Sequence, residues 1–233
     1  LHPITPEQSA ALSTLSEHLK RNTFSTLLIH GVTGSGKTRV YLDAIERALE
    51  NNGGAIVLVP EISLTPQTTR RFKARFGDRV AVIHSQLTAG ERYDAWRQLR
   101  AGVKTVAVGP RSAVFAPVQN LRLIVVDEEH DGSYKQEEPD PRYNARDVAV
   151  IRAQFAGALA VLGSATPSLE SLENARRGKY NLIEMPSRID SRPMPKVTIV
   201  DMRSEREGNN WSSISRMMRS EIRERLRRNE QVV

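Results

Sequence analysis

The sequence predicts an α/β protein with a mostly parallel central sheet flanked by helices, and three observations carry that expectation. Strand-like runs and helical patterns alternate over residues 24–182, the order expected when βαβ units build a parallel sheet. Most of the strand runs are apolar without polar alternation, as strands buried on both faces are. The first run passes directly into Gly31-Val32-Thr33-Gly34-Ser35-Gly36-Lys37-Thr38, a G-x-x-x-x-G-K-T loop with a helical pattern behind it.

In chain order, Ile4-Thr5-Pro6-Glu7-Gln8 opens a helix, with Thr5 as N-cap and Pro6 at the first helical position. Capping accounts for this string; the alternative for Gln8 is contact with an adenine. Strands are expected at 26–30, 55–59, 80–83, 105–108, 123–126 and 159–162. Between them the apolar spacing predicts helices from 40 to about 51, and over 65–75, 90–101, 145–155 and 168–177. Three prolines and two Ser-Arg pairs make 185–195 a loop. A last strand at 197–200 and a polar, glycine-containing linker at 205–210 follow. A basic amphipathic helix is then expected over 213–228, with Ile214, Met217, Met218, Ile222 and Leu226 at helical spacing. Its arginine face reads as an ordinary solvated surface, with nucleic-acid contact as the alternative. The domain division is accordingly 1–204 for the sheet-bearing lobe and 205–233 for linker and helix. The chain begins at Leu1 without a methionine and stops at Gln231-Val232-Val233, which reads as the opening of a further strand, so the natural polypeptide is expected to continue.

With 233 residues the chain has room for one substantial core, or one domain and part of another. The absence of cysteine excludes disulfides and thiolate metal sites and fits a reducing cytosol. No apolar run approaches the length of a membrane span. The 34 Lys+Arg against 27 Asp+Glu leave a net charge of +7, which favours a polyanionic partner.

The chemistry lies at the strand ends. In the loop of Gly31, Thr33, Gly34, Ser35 and Gly36, glycines let backbone N–H groups close around phosphate oxygens, and the following helix points its positive end at the same anion. Lys37 is placed to reach the β/γ-phosphates and the Thr38 hydroxyl to ligate Mg²⁺. Leu123-Ile124-Val125-Val126-Asp127-Glu128-Glu129-His130 supplies the acidic partner. Asp127 is the candidate to hold Mg²⁺ through its water shell, and Glu128 to orient the attacking water. A plain acidic turn is the alternative. For His130, a bridge to a coupling segment and a structural hydrogen bond are both open. Leu162-Gly163-Ser164-Ala165-Thr166-Pro167 follows another apolar strand, and Ser164 and Thr166 are placed to hydrogen-bond the acidic motif.

These pieces in this order resemble the first motor lobe of superfamily 2 helicases of the DEAH/DEEH type, and more narrowly the bacterial primosomal replication-restart helicases. The narrow resemblance rests on Val59-Pro60-Glu61-Ile62-Ser63-Leu64-Thr65-Pro66-Gln67, Asp127-Glu128-Glu129-His130-Asp131, Ser133-Tyr134-Lys135-Gln136, Arg142-Tyr143-Asn144-Ala145-Arg146-Asp147 and Gly163-Ser164-Ala165-Thr166-Pro167-Ser168. It covers the chain from about Thr5 to its last residue. It implies a RecA-like P-loop lobe that binds ATP and Mg²⁺ and grips single-stranded DNA during 3′-to-5′ unwinding at stalled forks. It also implies primosome proteins and single-stranded-DNA-binding protein as partners, and a cytoplasmic location.

Carried over by position, Gln8 contacts adenine, the glycine loop with Lys37 and Thr38 holds the phosphates and metal, and Asp127 and Glu128 serve metal and water. Pro60, Glu61, Thr65 and Gln67 resemble the first DNA-contacting motif; a strand-to-helix turn is the alternative. Gly109-Pro110-Arg111-Ser112 sits where the family usually has threonine in place of Pro110, so one DNA contact is in question while Arg111 and Ser112 remain available. Residues 131–147 resemble an aromatic-rich coupling loop. There Tyr134, Lys135, Arg142, Tyr143 and Arg146 combine ring surfaces with cations, as single strands require. Trp96 and Trp211 are expected to be packing anchors.

The second lobe, which supplies arginines to the transferring phosphoryl, and a zinc-binding insert are expected outside these residues, so zinc is expected only there. Alone, these 233 residues are expected to bind nucleotide weakly and to turn it over very slowly or not at all. Two other classes compete: a P-loop small-molecule phosphotransferase, and a nucleic-acid-binding module with an idle nucleotide site.

Overall fold

A computed structural model describes residues 3–189 and 197–232. Two compact units make up the chain, Leu1–Arg192 and Pro193–Val233. In the first unit helices and strands alternate: α1 (Pro6–Arg21), β1 (Ser25–Gly31), α2 (Lys37–Glu50), β2 (Gly54–Leu58), α3 (Pro66–Phe76), β3 (Val80–Val82), α4 (Ala89–Arg100), β4 (Val106–Gly109), β5 (Leu121–Asp127), α5 (Ala145–Ala156), β6 (Leu159–Ser164), α6 (Leu169–Arg176) and β7 (Asn181–Met185). The strands form one sheet in the order β3-β4-β2-β5-β6-β1-β7. Every pairing is parallel, so the carboxyl ends of all seven strands lie along one edge.

The lack of polar alternation has a direct cause: both sheet faces are covered. Leu27, Ile29, Ala55 and Val57 face a core shared with α1, α2 and α3. The intervening Leu28, Ile56 and Leu58 face a second core with α5 and Leu99 of α4. Ala145, Ala149 and Ala153, spaced four apart, let α5 lie close to the sheet. The helix starts follow from capping. Thr5 and Gln8 form a reciprocal box at α1, and Thr88 and Glu91 do the same at α4. Thr65, Asn144 and Ser168 cap α3, α5 and α6 with their side-chain oxygens.

Four expectations need correction. β7 falls partly in the segment read as a loop; it is an edge strand with three exposed residues and lacks the apolar run that marks the others. Residues 197–200 form no strand: Val197 and Ile199 are 81% and 92% exposed, and no strand among the described residues pairs with them. Half of the polar stretch at 205–210 is helical, because α7 (Met202–Glu207) runs into it, so the expected division at 204/205 falls within that helix. Trp211 is 79% exposed and anchors no core. The rest of the expected loop, 190–195, lies outside the described residues.

In the second unit, Glu205 ties α7 to α8 (Arg216–Arg227), accepting from the Arg216 N–H at 2.9 Å and from the Asn210 amide at 2.6 Å. Ser215 caps α8. The expected apolar stripe of α8 is present but open, with Met217, Met218 and Leu226 about half exposed.

Candidate nucleotide site and strand-tip surface

β1 ends at Gly31 and the chain turns through five residues into α2. Gly34 and Gly36 sit at φ +85° and +84°, the left-handed region that side chains disfavour. A Cβ at Gly36 would collide with the Gln8 amide. α2 has no side-chain cap, so its first N–H groups have to find partners elsewhere, and an anion is the natural one. The Ser35 hydroxyl is buried without a hydrogen-bond partner among the described residues. An uncapped helix start, an orphaned hydroxyl and glycines at positive φ together fit a phosphate cradle. Lys37 is 7% exposed and its Nζ donates to the Gly31 carbonyl at 2.6 Å. Thr38 follows in the same turn, half-buried.

Gln8 is buried against this loop. Its Nε2 donates to the Ser35 carbonyl at 3.0 Å and its Oε1 accepts from the Thr5 N–H at 3.2 Å. Both polar ends are thus engaged within the protein. Gln8 buttresses the loop, and adenine contact would require one of these bonds to be given up.

Asp127 ends β5, two strands from β1, with β6 between them. Tyr41 of α2 spans that gap: its hydroxyl donates to Asp127 Oδ1 at 3.1 Å. It crosses β6 at Gly163, where a Cβ would overlap the phenol oxygen. From the other side Tyr134 donates its hydroxyl to the Asp127 carbonyl at 2.6 Å. Burial, with the neighbouring charge of Glu128, pushes the Asp127 carboxyl up to about 6, against the Tyr41 hydrogen bond and the Lys37 ammonium. The Lys37 ammonium is thus near enough to act on the Asp127 carboxyl. Burial also raises both phenols above their ordinary range, so they remain protonated donors.

Glu128 adopts φ +47°, an unfavourable conformation for a residue with a Cβ. The turn closes as Asp131 N–H donates to the Glu128 carbonyl at 2.8 Å. Glu129 points inward. It accepts from the Ser168 N–H at 2.7 Å, the Ser171 hydroxyl at 2.8 Å and Arg146 Nη1 at 3.3 Å. His130 pairs through Nδ1 with Ser164 Oγ at 2.7 Å and through Nε2 with Thr166 Oγ1 at 3.3 Å. Ser164 and Thr166 thus meet the acidic motif, as the strand-tip argument expects.

The remaining candidates gather at other tips of the same edge. Pro60 and Glu61 follow β2, and Arg111 and Ser112 follow β4. Arg111 reaches the 131–144 loop, donating to the Lys135 carbonyl at 3.0 Å, and its guanidinium lies 6.0 Å from the Tyr143 ring centre. Lys135 and Arg142 are exposed. Thr65 serves as the α3 N-cap and Gln67 is exposed in that helix's first turn.

Two residues of the loop take other places than expected. Tyr134 is 1% exposed and Arg146 is spent on Glu129, Asp147 and the Ser168 hydroxyl. Neither offers a surface to a nucleic acid, so both fall to the coupling half of the expected set. Trp96 is no buried anchor either; it is 41% exposed and lines a cleft with Arg111 and Tyr143. Tyr41 and the bare backbone of Gly163 carry no recognisable signal in the sequence, since a tyrosine on the apolar stripe of a helix reads as core.

Residues 5–175 match the DEAD/DEAH box helicase family. The chain is 49% identical over 231 residues to the replication restart protein PriA of Bacillus subtilis, covering 99% of this chain and 29% of that protein. It is 48% identical over 225 residues to the PriA of Synechocystis, covering 95% and 27%. The chain thus spans less than a third of each of these relatives. Among solved structures it is similar in fold to a hypothetical ATP-dependent RNA helicase from Sulfolobus tokodaii, with TM-score 0.56, 17% identity, and 80% and 54% of the two chains covered. It is likewise similar to RecG bound to a three-way DNA junction, with TM-score 0.55, 22% identity, and 84% and 24% covered. The parallel sheet with flanking helices is thus the RecA-like arrangement of helicase domains. With the match spanning most of the sheet-bearing unit, the chain belongs to the nucleotide-using DEAD/DEAH box helicase family.

Proposed function

We propose that this chain is the ATP-binding motor lobe of a DNA helicase that translocates 3′ to 5′ and acts in replication restart at stalled forks. The observation that carries the reading is the hydrogen bond by which Tyr41, in the helix behind the glycine loop, reaches Asp127 across Gly163, and it supports a site shared by Lys37 and Asp127. The names of the relatives support the restart role.

Bound ATP supplies a phosphoanhydride whose terminal phosphoryl is transferred to water. The loop of Gly31, Thr33, Gly34, Ser35 and Gly36 offers N–H groups and the Ser35 hydroxyl to its phosphates, and Lys37 turns from the Gly31 carbonyl to them. Among the described residues no cluster of three or more His, Cys, Asp or Glu is able to cage a metal. Thr38 and Asp127 would hold Mg²⁺ together with water and the phosphates, as this ion prefers. Glu128, lifted out of the strand by its positive φ, orients the attacking water.

Single-stranded DNA lies along the strand tips, on Pro60, Glu61, Thr65, Gln67, Arg111, Ser112, Lys135, Arg142 and Tyr143. Its presence reaches the site by two paths: through Tyr134 of the 131–144 loop to the Asp127 carbonyl, and through Arg146 at the start of α5 to Glu129. Ser164 and Thr166 extend the second path through His130. Forked DNA, primosome proteins and single-stranded-DNA-binding protein are the partners of this role, in the cytoplasm. No helix among the described residues is long and apolar enough to cross a membrane.

The test is ATP hydrolysis by the intact protein with and without single-stranded DNA. Lys37→Ala is expected to weaken nucleotide binding, and Glu128→Gln to leave binding intact while lowering turnover at least about a hundred-fold, the scale of a lost general base. Turnover indifferent to DNA, or a Glu128→Gln variant of full activity, overturns the reading.

A further inference from the structure

At the far end of the strand-tip edge from the phosphate loop, a cleft of about 530 Å³ opens beyond β3 and β4. Its lining includes His84, Arg92, Trp96, Arg111, Gln136 and Tyr143. The cleft has the size of a small-ligand site, but its chemistry is not that of a packing defect. Arg92 and Trp96 stand four residues apart on α4 and so share one helix face. Leu99, further along the same side of α4, is the residue by which the helix buries itself, and Arg92 and Trp96 beside it line the cleft. Arg92 makes one long hydrogen bond, to the Leu87 carbonyl at 3.5 Å, and no ion pair among the described residues. On the opposite wall Tyr143 is fixed edge-on against Phe115, with ring centres 5.2 Å apart at 71°. Arg111 is held beside Tyr143 by the Lys135 carbonyl. The lining thus carries two guanidinium groups against the single carboxylate of Glu61.

We propose that this cleft is a nucleobase pocket: one nucleotide of a bound single strand leaves the stack and lays its base on Trp96, with Arg92 and Arg111 at the flanking phosphates. Single strands are held in this way wherever an aromatic face stands among cations, because every base has a π-face to offer and every linkage a negative charge. His84 and Gln136 line the same space and give the base edge hydrogen-bonding partners. The pocket lies three strands from Asp127's neighbour β6, at the β3–β4 end of the sheet, so it takes a nucleotide of the strand and not the ATP. The proposal rests on the reading of this edge as the single-strand contact surface.

The experiment compares two probes on the intact protein by fluorescence anisotropy: an oligothymidine and an abasic strand of the same length. Loss of one stacked base is expected to weaken oligothymidine binding by Trp96→Ala about ten-fold or more, while the abasic strand changes by less than about two-fold. Trp96→Phe retains a ring and is expected to recover most of the loss, which separates stacking from damage to α4. Arg92→Ala is expected to weaken both strands alike and to flatten the salt dependence by about one unit. Equal losses on both strands in Trp96→Ala, or none, overturn the pocket while leaving single-strand binding in place. Failure of the unaltered protein to bind either strand overturns the contact surface itself, and the pocket with it.

Discussion

Gly163 has no room for a methyl group. The Tyr41 phenol crosses β6 at that position to reach Asp127, so Gly163→Ala is expected to cost roughly 3 kcal/mol by overpacking. Removing the hydroxyl should relieve part of that strain. In a double-mutant cycle by urea denaturation, Gly163→Ala with Tyr41→Phe is expected to lose less than the sum of the two single changes, whereas strict additivity would count against the contact. Asp127 gives a second expectation at this scale. Its carboxyl rises from 3.8 to about 6 in the folded protein, chiefly through burial. The native state therefore keeps a proton that the unfolded chain has released, and stability falls as pH rises between about 4 and 6. Asp127→Asn removes that slope. The variant should gain up to about 3 kcal/mol over the unaltered protein above pH 6, and the two should converge near pH 4. A difference independent of pH would disprove it. Neither residue's role is legible locally. The sequence places Asp127 at the end of a strand, but the burial that raises its carboxyl and the phenol that holds it come from elements far away in the chain.

Among the elements, the turn after β5 has the most to hold together. Glu129 joins it to α6 through Ser168 and Ser171, and to α5 through Arg146. The Glu129 side chain is fully buried and that of Arg146 nearly so. Arg146→Ala strands the carboxylate without its cation and is expected to destabilise the fold by roughly 3–5 kcal/mol. Arg146→Lys should recover only part, lacking the guanidinium's fork. A pure DNA-contact role would instead leave thermal stability unchanged and lower single-strand affinity alone. The 131–144 loop is folded by its own bonds. Lys135 bridges Asn144, and Gln136 N–H donates to the Tyr143 carbonyl at 2.8 Å. The cap Thr5 made the start of α1 legible, and at α3, α4 and α6 the apolar spacing put the starts within a residue of where the structure has Thr65, Thr88 and Ser168 capping them. Apolar runs did the same for the buried strands. The edge strand β7 escaped because half-exposed residues carry no such run. The stretch at 197–200 misled for the opposite reason: its branched apolar residues favour an extended chain, yet a strand exists only where a neighbour supplies hydrogen bonds.

At the scale of the whole molecule, charge is the property that the sequence states most plainly and the fold then distributes. The net charge of +7 favours a polyanion, and Arg92, Arg111, Lys135 and Arg142 all stand around the strand tips or the loop beside them. If all four meet phosphates, the logarithm of single-strand affinity should fall against the logarithm of salt with a slope of about −3. A slope near zero would place the binding surface elsewhere. The sequence by itself determined the fold class, the glycine loop, the acidic strand end and the order in which they come. Those features are local: periodicity reports burial within one segment, and a phosphate loop needs only a strand before it and a helix behind it. The tertiary structure alone decided which side chains face the site. It turned Gln8 and Arg146 inward, spent Tyr134 on Asp127, passed Tyr41 over a glycine far along the chain and opened Trp96 to a cleft. Each of those outcomes depends on distances between residues remote in sequence, which only the packing of the sheet sets.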